Sequence, residues 1–410
     1  MRVARRESAA AGPGSRALIV DLIRSSGPIS RVELVKVTGL TQPTISNIVR
    51  RLIDDGVVRE TGDTVATRGK PRSMLVINSR AAYGVGIHVG ADTLTCVVTD
   101  TRGGTVGRQL VAGAAEEQPG DVVEQLATLY RDVTAGLGLP ADSVAGMAVV
   151  GPGPVDVAGG RFLALPGLEQ RADLDLAHAL TQRLGVPVLV DSDAAAAAVG
   201  EFWGRQVSRD RTFGCLYMNA GIGSGVVLDG ALHRGASSNA GKLGHIAVVH
   251  EGERCYCGNR GCLEQTAAPH VLAARVRATP DLADRLRIRP DDPDARAFDV
   301  LARAAIYGDP QARALVDESA ALLAEGAVVL ANLWDLDTLV LAGPGFAVAG
   351  SIYVTEIRRR LAERAFARDV HDVRVDLSSN PRDAAAIGGA ALVLQGSVAP
   401  GHGPQVTARV

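Results

Sequence analysis

Lysine is nearly missing from this chain of 410 residues, where it occurs only at positions 36, 70 and 242 among 43 basic residues. A lysine at a functional position is therefore conspicuous. Also missing is any apolar run near the length of about 20 residues that a bilayer-spanning helix needs. The first residues, with Arg2, Arg5 and Arg6, carry no apolar segment of the secretory kind. Together these absences favour a cytoplasmic protein with no membrane partner. Cysteine is sparse at five, and Cys255, Cys257 and Cys262 fall within eight residues. In a cytosolic chain such a cluster more often binds metal than forms disulfides. Cys96 and Cys215 sit in apolar, strand-like runs and are expected to be buried thiols.

What the chain does contain is uneven. With 47% hydrophobic and 21% charged residues it can build ordinary globular cores, and its length suits two or three domains. The net charge of −2 hides a basic head, +7 over residues 1–80, on an acidic body of −9. That asymmetry suits a polyanionic partner for the head, although a basic tail without a partner would give the same count.

Residues 1–14 are Ala-, Gly- and Arg-rich and predict a disordered tail. Three helical patterns follow. The stretch 15–25 sets Leu18, Ile19, Leu22 and Ile23 on one face. The stretch 30–38 opens on Ser30, with Glu33 as its capping-box partner, and closes at Gly39. The stretch 41–55 is capped by Thr41, admits Pro43 in its first turn and stops at Gly56. Its buried stripe is Ile45, Ile48, Val49, Leu52 and Ile53. Strand patterns at 57–60 and 74–78 flank a polar loop. Helix, helix, short turn, helix and two-stranded wing is the order of a winged helix-turn-helix.

Outside its apolar stripe the third helix offers Gln42, Thr44, Ser46, Asn47, Arg50 and Arg51, with Pro43 in the first turn. Gln and Asn pair bidentately with adenine, and Arg with guanine or phosphate. The loop between the wing strands carries Arg68, Lys70 and Arg72 around a Gly and a Pro. An extended basic segment of this kind suits a narrow minor groove. These residues are the candidate DNA contacts.

Beyond residue 81 the pattern turns α/β. Strands are expected at 83–89, 94–100, 105–111, 144–150, 186–190, 213–218, 224–228 and 339–341. Helices are expected at 121–137, 193–202 and 383–395, before a loose Gly- and Pro-containing tail. His245 stands ten residues before Cys255-Tyr256-Cys257-Gly258-Asn259-Arg260-Gly261-Cys262. One imidazole and three thiolates suit a closed tetrahedral structural zinc site, one per chain. Separate buried thiols or a disulfide are the alternatives.

The run Gly244-His245 … Cys255-x-Cys257-Gly258-x-x-Gly261-Cys262-Leu263-Glu264 resembles the signature of the ROK family (repressors, open reading frames, kinases). The resemblance extends over about residues 15–396, and the head is similar to that of the xylose-repressor, NagC and Mlc type. It implies an α+β winged helix-turn-helix head plus a two-lobed α/β ribonuclease-H-like domain of the actin/hexokinase type, with sugar in the cleft. The expected division is a tail at 1–14 and the head at 15–79. A first lobe follows at 80–198 with 383–396, then a second lobe with the zinc site at 199–382, and a tail at 397–410. Homodimers or tetramers are also implied.

The resemblance also carries differences. Kinases of the family write their phosphate loop Asp-x-Gly-Gly-Thr, and the matching stretch here is His88-Val89-Gly90-Ala91-Asp92. A lost carboxylate, an added Cβ and a new negative charge all work against Mg²⁺-ATP, so no enzymatic activity is expected. The glycine loops Gly221-Ile222-Gly223-Ser224-Gly225 and Gly343-Pro344-Gly345 resemble the family's other nucleotide motifs, but are expected here to be structural. Carried over residue by residue, the family's sugar contacts become Ser192-Asp193, Lys242 and His245 of Lys242-Leu243-Gly244-His245, and Glu264. The loop at Gly153 lines the cleft, and Asp193 holds the position of the kinases' catalytic base. Lys242 stands where the family has Glu, which exchanges an acceptor for a donor. Its ammonium would meet an anionic group or acceptor oxygens of an effector, or pair internally with Asp193 or Glu264 and leave sugar binding weak or absent.

The expected function is that of a sequence-specific transcriptional regulator, a repressor of carbohydrate-related genes that binds an operator and a small carbohydrate-type effector. A sugar kinase with an appended head, or an effector-independent DNA-binding protein, are the alternatives.

Overall fold

The structure, a computed structural model, describes residues 13–65, 72–113, 119–163 and 174–398. The head begins with α1 (Pro13–Ser25), β1 (Ile29–Ser30), α2 (Arg31–Thr38) and α3 (Gln42–Asp54), and ends with β2 (Val58–Val65) and β3 (Arg72–Ile77). Local chemistry sets the helix ends. The Ser30 hydroxyl accepts from the Glu33 amide while the Glu33 carboxylate accepts from the Ser30 amide, completing the capping box. Gly39, at φ +69°, ends α2 in a left-handed turn, and Thr41 caps α3. The strand β1 has no counterpart in the sequence reading. It is two residues long and pairs Ile29 with Leu75 and Ser30 with Met74, so its partner is distant along the chain.

The body contains two sheets of the same design. The first uses β4 (Tyr83–Val89), β5 (Thr93–Asp100), β6 (Thr105–Ala112), β7 (Val144–Gly151) and β10 (Val188–Ser192), in the order β10-β7-β4-β5-β6. The short pair β8 (Val155–Asp156) and β9 (Arg161–Phe162) extends from it, and α4 (Pro119–Gly136) and α5 (Leu176–Leu184) lie on this side. The second sheet uses β11 (Phe213–Met218), β12 (Ile222–Leu228), β13 (Ala231–Leu232), β14 (Thr338–Ala342) and β15 (Arg374–Leu377), in the order β13-β12-β11-β14-β15. In each, the first three strands are antiparallel and the last two join in parallel. The repeated topology is that of the two-lobed, actin/hexokinase-type class.

Each sheet is followed by a helix between the lobes: α6 (Asp193–Gly204) after β10, and the last helix, α13 (Ala384–Val398), after β15. The other helices, α7 (Glu264–Ala267), α8 (Pro269–Arg277), α9 (Pro280–Leu286), α10 (Asp294–Ile306), α11 (Pro310–Trp334) and α12 (Gly350–Arg364), cover the second sheet. The helix α6 packs on the second sheet and α13 on the first. They cross where Gly200 meets Gly388, so closely that a Cβ on Gly200 would lie 2.8 Å from the Gly388 Cα. One apolar cluster runs from the head core, including Ile19, Ile45 and Leu75, through to Phe202, Trp203 and Phe213 of the body.

Candidate functional site

On the head, α3 buries Ile45, Val49 and Leu52 and exposes Gln42, Pro43, Asn47, Arg50 and Arg51. Thr44 and Ser46 are half-buried, and the Thr44 hydroxyl lies 2.8 Å from that of Thr41. Arg50 and Arg51 form no ion pair among the described residues, in contrast to Arg16 and Arg31, which pair with Asp55 and Glu60. Arg68 and Lys70 lie outside the described residues, and Arg72 opens β3.

Between the lobes is a cavity of about 580 Å³. The six residues proposed for the effector, Gly153, Ser192, Asp193, Lys242, His245 and Glu264, all line it. Ser192 and Asp193 are placed by the β10–α6 junction. Lys242 and His245 flank a short turn after β13, and Glu264 opens α7. Asp193 is buried at the α6 N-terminus. Its Oδ1 accepts from the Ala194 amide at 2.8 Å and its Oδ2 lies 3.8 Å from His88 Nε2. The Glu264 Oε2 accepts from the Ile222 amide at 2.8 Å.

Lys242 pairs with neither acidic neighbour. Its Nζ donates to the Gly153 carbonyl, 2.9 Å away on the opposite lobe. Burial lowers its pKa, opposed by Asp193, Asp191 and Glu264. Two further contacts fasten the same segment across the cleft. Asn239 exchanges two hydrogen bonds of 2.9 Å with the Val155 backbone, and Arg234 meets the fully buried Asp191 at 2.8 Å.

His88 Nε2 and the Tyr217 hydroxyl are buried without a hydrogen-bond partner among the described residues, their rings 6.5 Å apart and edge-to-face. Burial raises the Tyr217 pKa well above its usual value, reinforced by Asp193. Both groups face the same buried carboxylate. Tyr217, Asn239 and Arg234 are the members that sequence reasoning missed. Tyr217 sits inside an apolar strand, and the other two fasten the cleft through contacts with the distant lobe.

His245, Cys255, Cys257 and Cys262 converge with their ligand atoms within 4.8 Å of one another, so the cluster can hold a metal ion. Cys255 Sγ lies 3.6 Å from His245 Nδ1 and Cys257 Sγ 3.7 Å from Cys262 Sγ. His245 Nε2 points the other way, 3.2 Å from the Tyr256 hydroxyl. Burial and the neighbouring thiols push the Cys262 thiol up to about 12. Cys96 and Cys215 are free and buried. Of the loop glycines, Gly221 lines the cavity where a Cβ would press on the Glu264 carboxylate, while Gly223 and Gly225 face α6. A Cβ on Gly223 would lie 2.8 Å from the Ala194 Cβ, and one on Gly225 would lie 2.5 Å from the Ala198 Cβ. On Gly343, φ +105°, a Cβ would press on Met218.

A winged-helix head on a two-lobed, sugar-kinase-like α/β body with a His-Cys₃ cluster beside its cleft defines a class of protein. The chain belongs to the ROK family, whose profile matches residues 84–396; a second profile, winged helix-turn-helix DNA-binding, matches 17–59. It is 26% identical to the putative xylose repressor of Caldicellulosiruptor sp. (strain Rt8B.4) over 386 residues, 94% of this chain and 96% of that one. The crystal structure of a ROK family transcriptional regulator, a homologue of the E. coli MLC protein, matches with a TM-score of 0.74 at 26% identity, covering 95% of this chain and 97% of that one. A ROK family glucokinase from Streptomyces griseus, in complex with glucose and AMPPNP, matches at 0.66 and 26%, covering 77% of this chain and all of that one. No helix among the described residues is long and apolar enough to cross a membrane.

Proposed function

We propose that this chain is a DNA-binding transcriptional regulator, a repressor of carbohydrate-related genes whose cleft senses a carbohydrate-type effector. The observation that carries the reading is α3. It is a capped helix in a winged-helix frame, holding Asn47, Arg50 and Arg51 exposed on the face opposite its buried stripe. Base readout in a major groove needs such a face, and Arg68, Lys70 and Arg72 would add a basic arm. A homodimer would read paired half-sites across a palindrome. The reading places the protein in the cytoplasm, with head 15–79, first lobe 80–198 with 383–396, and second lobe 199–382.

The cleft offers a neutral polyol buried acceptors at Asp193 and Glu264 and donors at Lys242 and Ser192. The His-Cys₃ cluster suits structural zinc. Zn–S and Zn–N bonds of about 2.3 and 2.0 Å set tetrahedral edges of about 3.8 Å between sulfurs and about 3.5 Å between sulfur and nitrogen. The separations of 3.7 and 3.6 Å fit those edges. Such an ion would brace the loop that carries His245 and Glu264.

Likeness to a glucokinase makes a sugar kinase the rival reading. Against it stands His88 in place of the phosphate-loop carboxylate. Phosphoryl transfer relies on positioning and charge neutralisation, which His88, Ala91 and Asp92 do not supply in the usual way.

The test is selection of genomic duplex by the purified chain, followed by binding of the strongest site. We expect sequence-preferring binding at moderate salt, and Asn47→Ala to cost about 1–3 kcal/mol with relaxed preference at one base position. Equal affinity for random duplex would overturn the reading.

A further inference from the structure

Head and body meet at a buried charged joint. Arg24, on the last turn of α1, is 3% exposed, and it reaches out of the head into the end of α6. Its Nη1 donates to the carbonyls of Phe202 (3.3 Å) and Trp203 (3.1 Å), and its Nη2 to that of Val207 (2.9 Å). Asp21 holds the guanidinium at 2.6 Å, and the rings of Phe202 and Trp203 lie 5.0 and 4.8 Å from it. A cation at a helix C-terminus meets the negative end of the helix dipole, and both rings add to the attraction.

The same turn of α6 holds the second attachment of the head. The Trp203 indole donates to the Thr101 carbonyl at 3.1 Å. Thr101 in turn grips the connection leaving the head: its amide donates to the Ser79 carbonyl, its hydroxyl donates to the Ala82 carbonyl at 3.0 Å, and the Ala82 amide returns a bond to that hydroxyl. At its other end α6 begins with Asp193 in the cleft, beside His88 and Lys242. A twelve-residue helix spans about 18 Å. Where α6 crosses α13, Gly200 and Gly388 leave no side chain between the backbones.

We propose that α6 relays the state of the cleft to the DNA-reading head, with Arg24 as the joint that makes α1 follow its last turn. The proposal rests on the reading of the head as DNA-binding and of the cleft as a sensor. Stranding a buried guanidinium from its carbonyl acceptors is costly, so displacement of the α6 end moves α1 with it instead of parting the two. A ligand that favours one placement of Asp193 then favours one placement of the head. Arg24 touches neither cleft nor DNA and is a positioning residue.

A double-mutant cycle on operator affinity tests this without knowledge of the effector. Asp193→Asn and Lys242→Met perturb the cleft end; Arg24→Gln breaks the joint. The probe is the duplex selected by the parent protein. In the parent background each cleft substitution is expected to shift the operator Kd by about five-fold or more, the range of allosteric coupling. In the Arg24→Gln background the shift falls below about two-fold, and Arg24→Lys restores part of it. A merely structural Arg24 would lower affinity by one factor in every background, leaving the cleft effects intact. Melting curves identify any variant that fails to fold, and Trp203→Phe, which keeps the apolar bulk and deletes the bond to Thr101, is the second joint variant. Cleft effects of equal size with and without the joint, or no cleft effect in an operator-binding parent, overturn the proposal alone. A parent that prefers no duplex overturns the reading of the head, and the proposal with it.

Discussion

Lys242 is one of three lysines in the chain, and its half-buried side chain reaches from one lobe to the other. Its bond to the Gly153 carbonyl crosses the cleft, so the side chain acts as a latch before any effector arrives. Burial is the largest influence on its pKa and lowers it from 10.5. The folded protein therefore holds this proton less tightly than the unfolded chain does. Stability from this group rises with pH between the lowered folded value and 10.5, and below that window the burial cost is present in full. Lys242→Met should flatten the alkaline rise relative to the parent. Urea unfolding at several pH values up to 10.5 measures it; identical slopes would contradict the account. The metal cluster makes a second prediction at this scale. Purified protein should carry one zinc per chain by elemental analysis. Cys257→Ser or Cys262→Ser should lose it and melt lower, because binding to the folded ligand set contributes to folding. A serine variant that kept both its melting temperature and its zinc would remove that cysteine from the ligand set, and parent protein without zinc would remove the metal from the description.

Among the elements, the crossing of α6 and α13 admits no side chain at its centre. A Cβ on Gly388 would press into the Ala196 carbonyl and lie 2.7 Å from the Ala197 amide nitrogen, atoms of backbone that cannot rotate away. Gly388→Val should therefore destabilise by about 1–3 kcal/mol or more, the range of overpacking in a filled core. Thermal unfolding gives the size, and a neutral result would mean that the helices separate freely. Element limits such as these were legible to different degrees. The ends of α2 and α3 could be read from Ser30, Glu33, Gly39 and Thr41, because a cap is made within four residues of chain. The strand β4 was read over its full span at 83–89, while β10 begins at Val188, two residues later than its apolar run. The two-residue β1 was unreadable, since its only signal is a partner some 45 residues away. The six cleft residues were reached through a motif resemblance. Tyr217 was hidden by the very strand pattern that buries it, and Arg234 and Asn239 carry no local mark of their cross-lobe bonds.

For the whole molecule, the question is whether a two-lobed body so close in shape to a glucokinase turns over sugar. Shape does not decide it, because function belongs to the site and one fold hosts many. In this cleft the buried carboxylate of Asp193 faces His88, whose Nε2 lies 3.8 Å away, and an ammonium latched to a carbonyl. A second cavity of about 460 Å³ adjoins the first at Gly90, Ala91 and Asn219. Its arginines are already occupied: Arg108 is held by Asp383, Arg382 by Asp299 and Arg296 by Asp292. Cations neutralised in advance by carboxylates offer little to a triphosphate, and Asp92 adds a negative charge to the same chamber. A coupled assay of ATP consumption over a panel of neutral hexoses and pentoses should therefore show no sugar-dependent turnover. Restoring one carboxylate by His88→Asp should not create it, because Ala91, Asp92 and Lys242 remain. Turnover by the parent at an ordinary kinase rate of about 1–100 per second would make the protein an enzyme with a DNA-binding head, and the latch would have to open in every cycle.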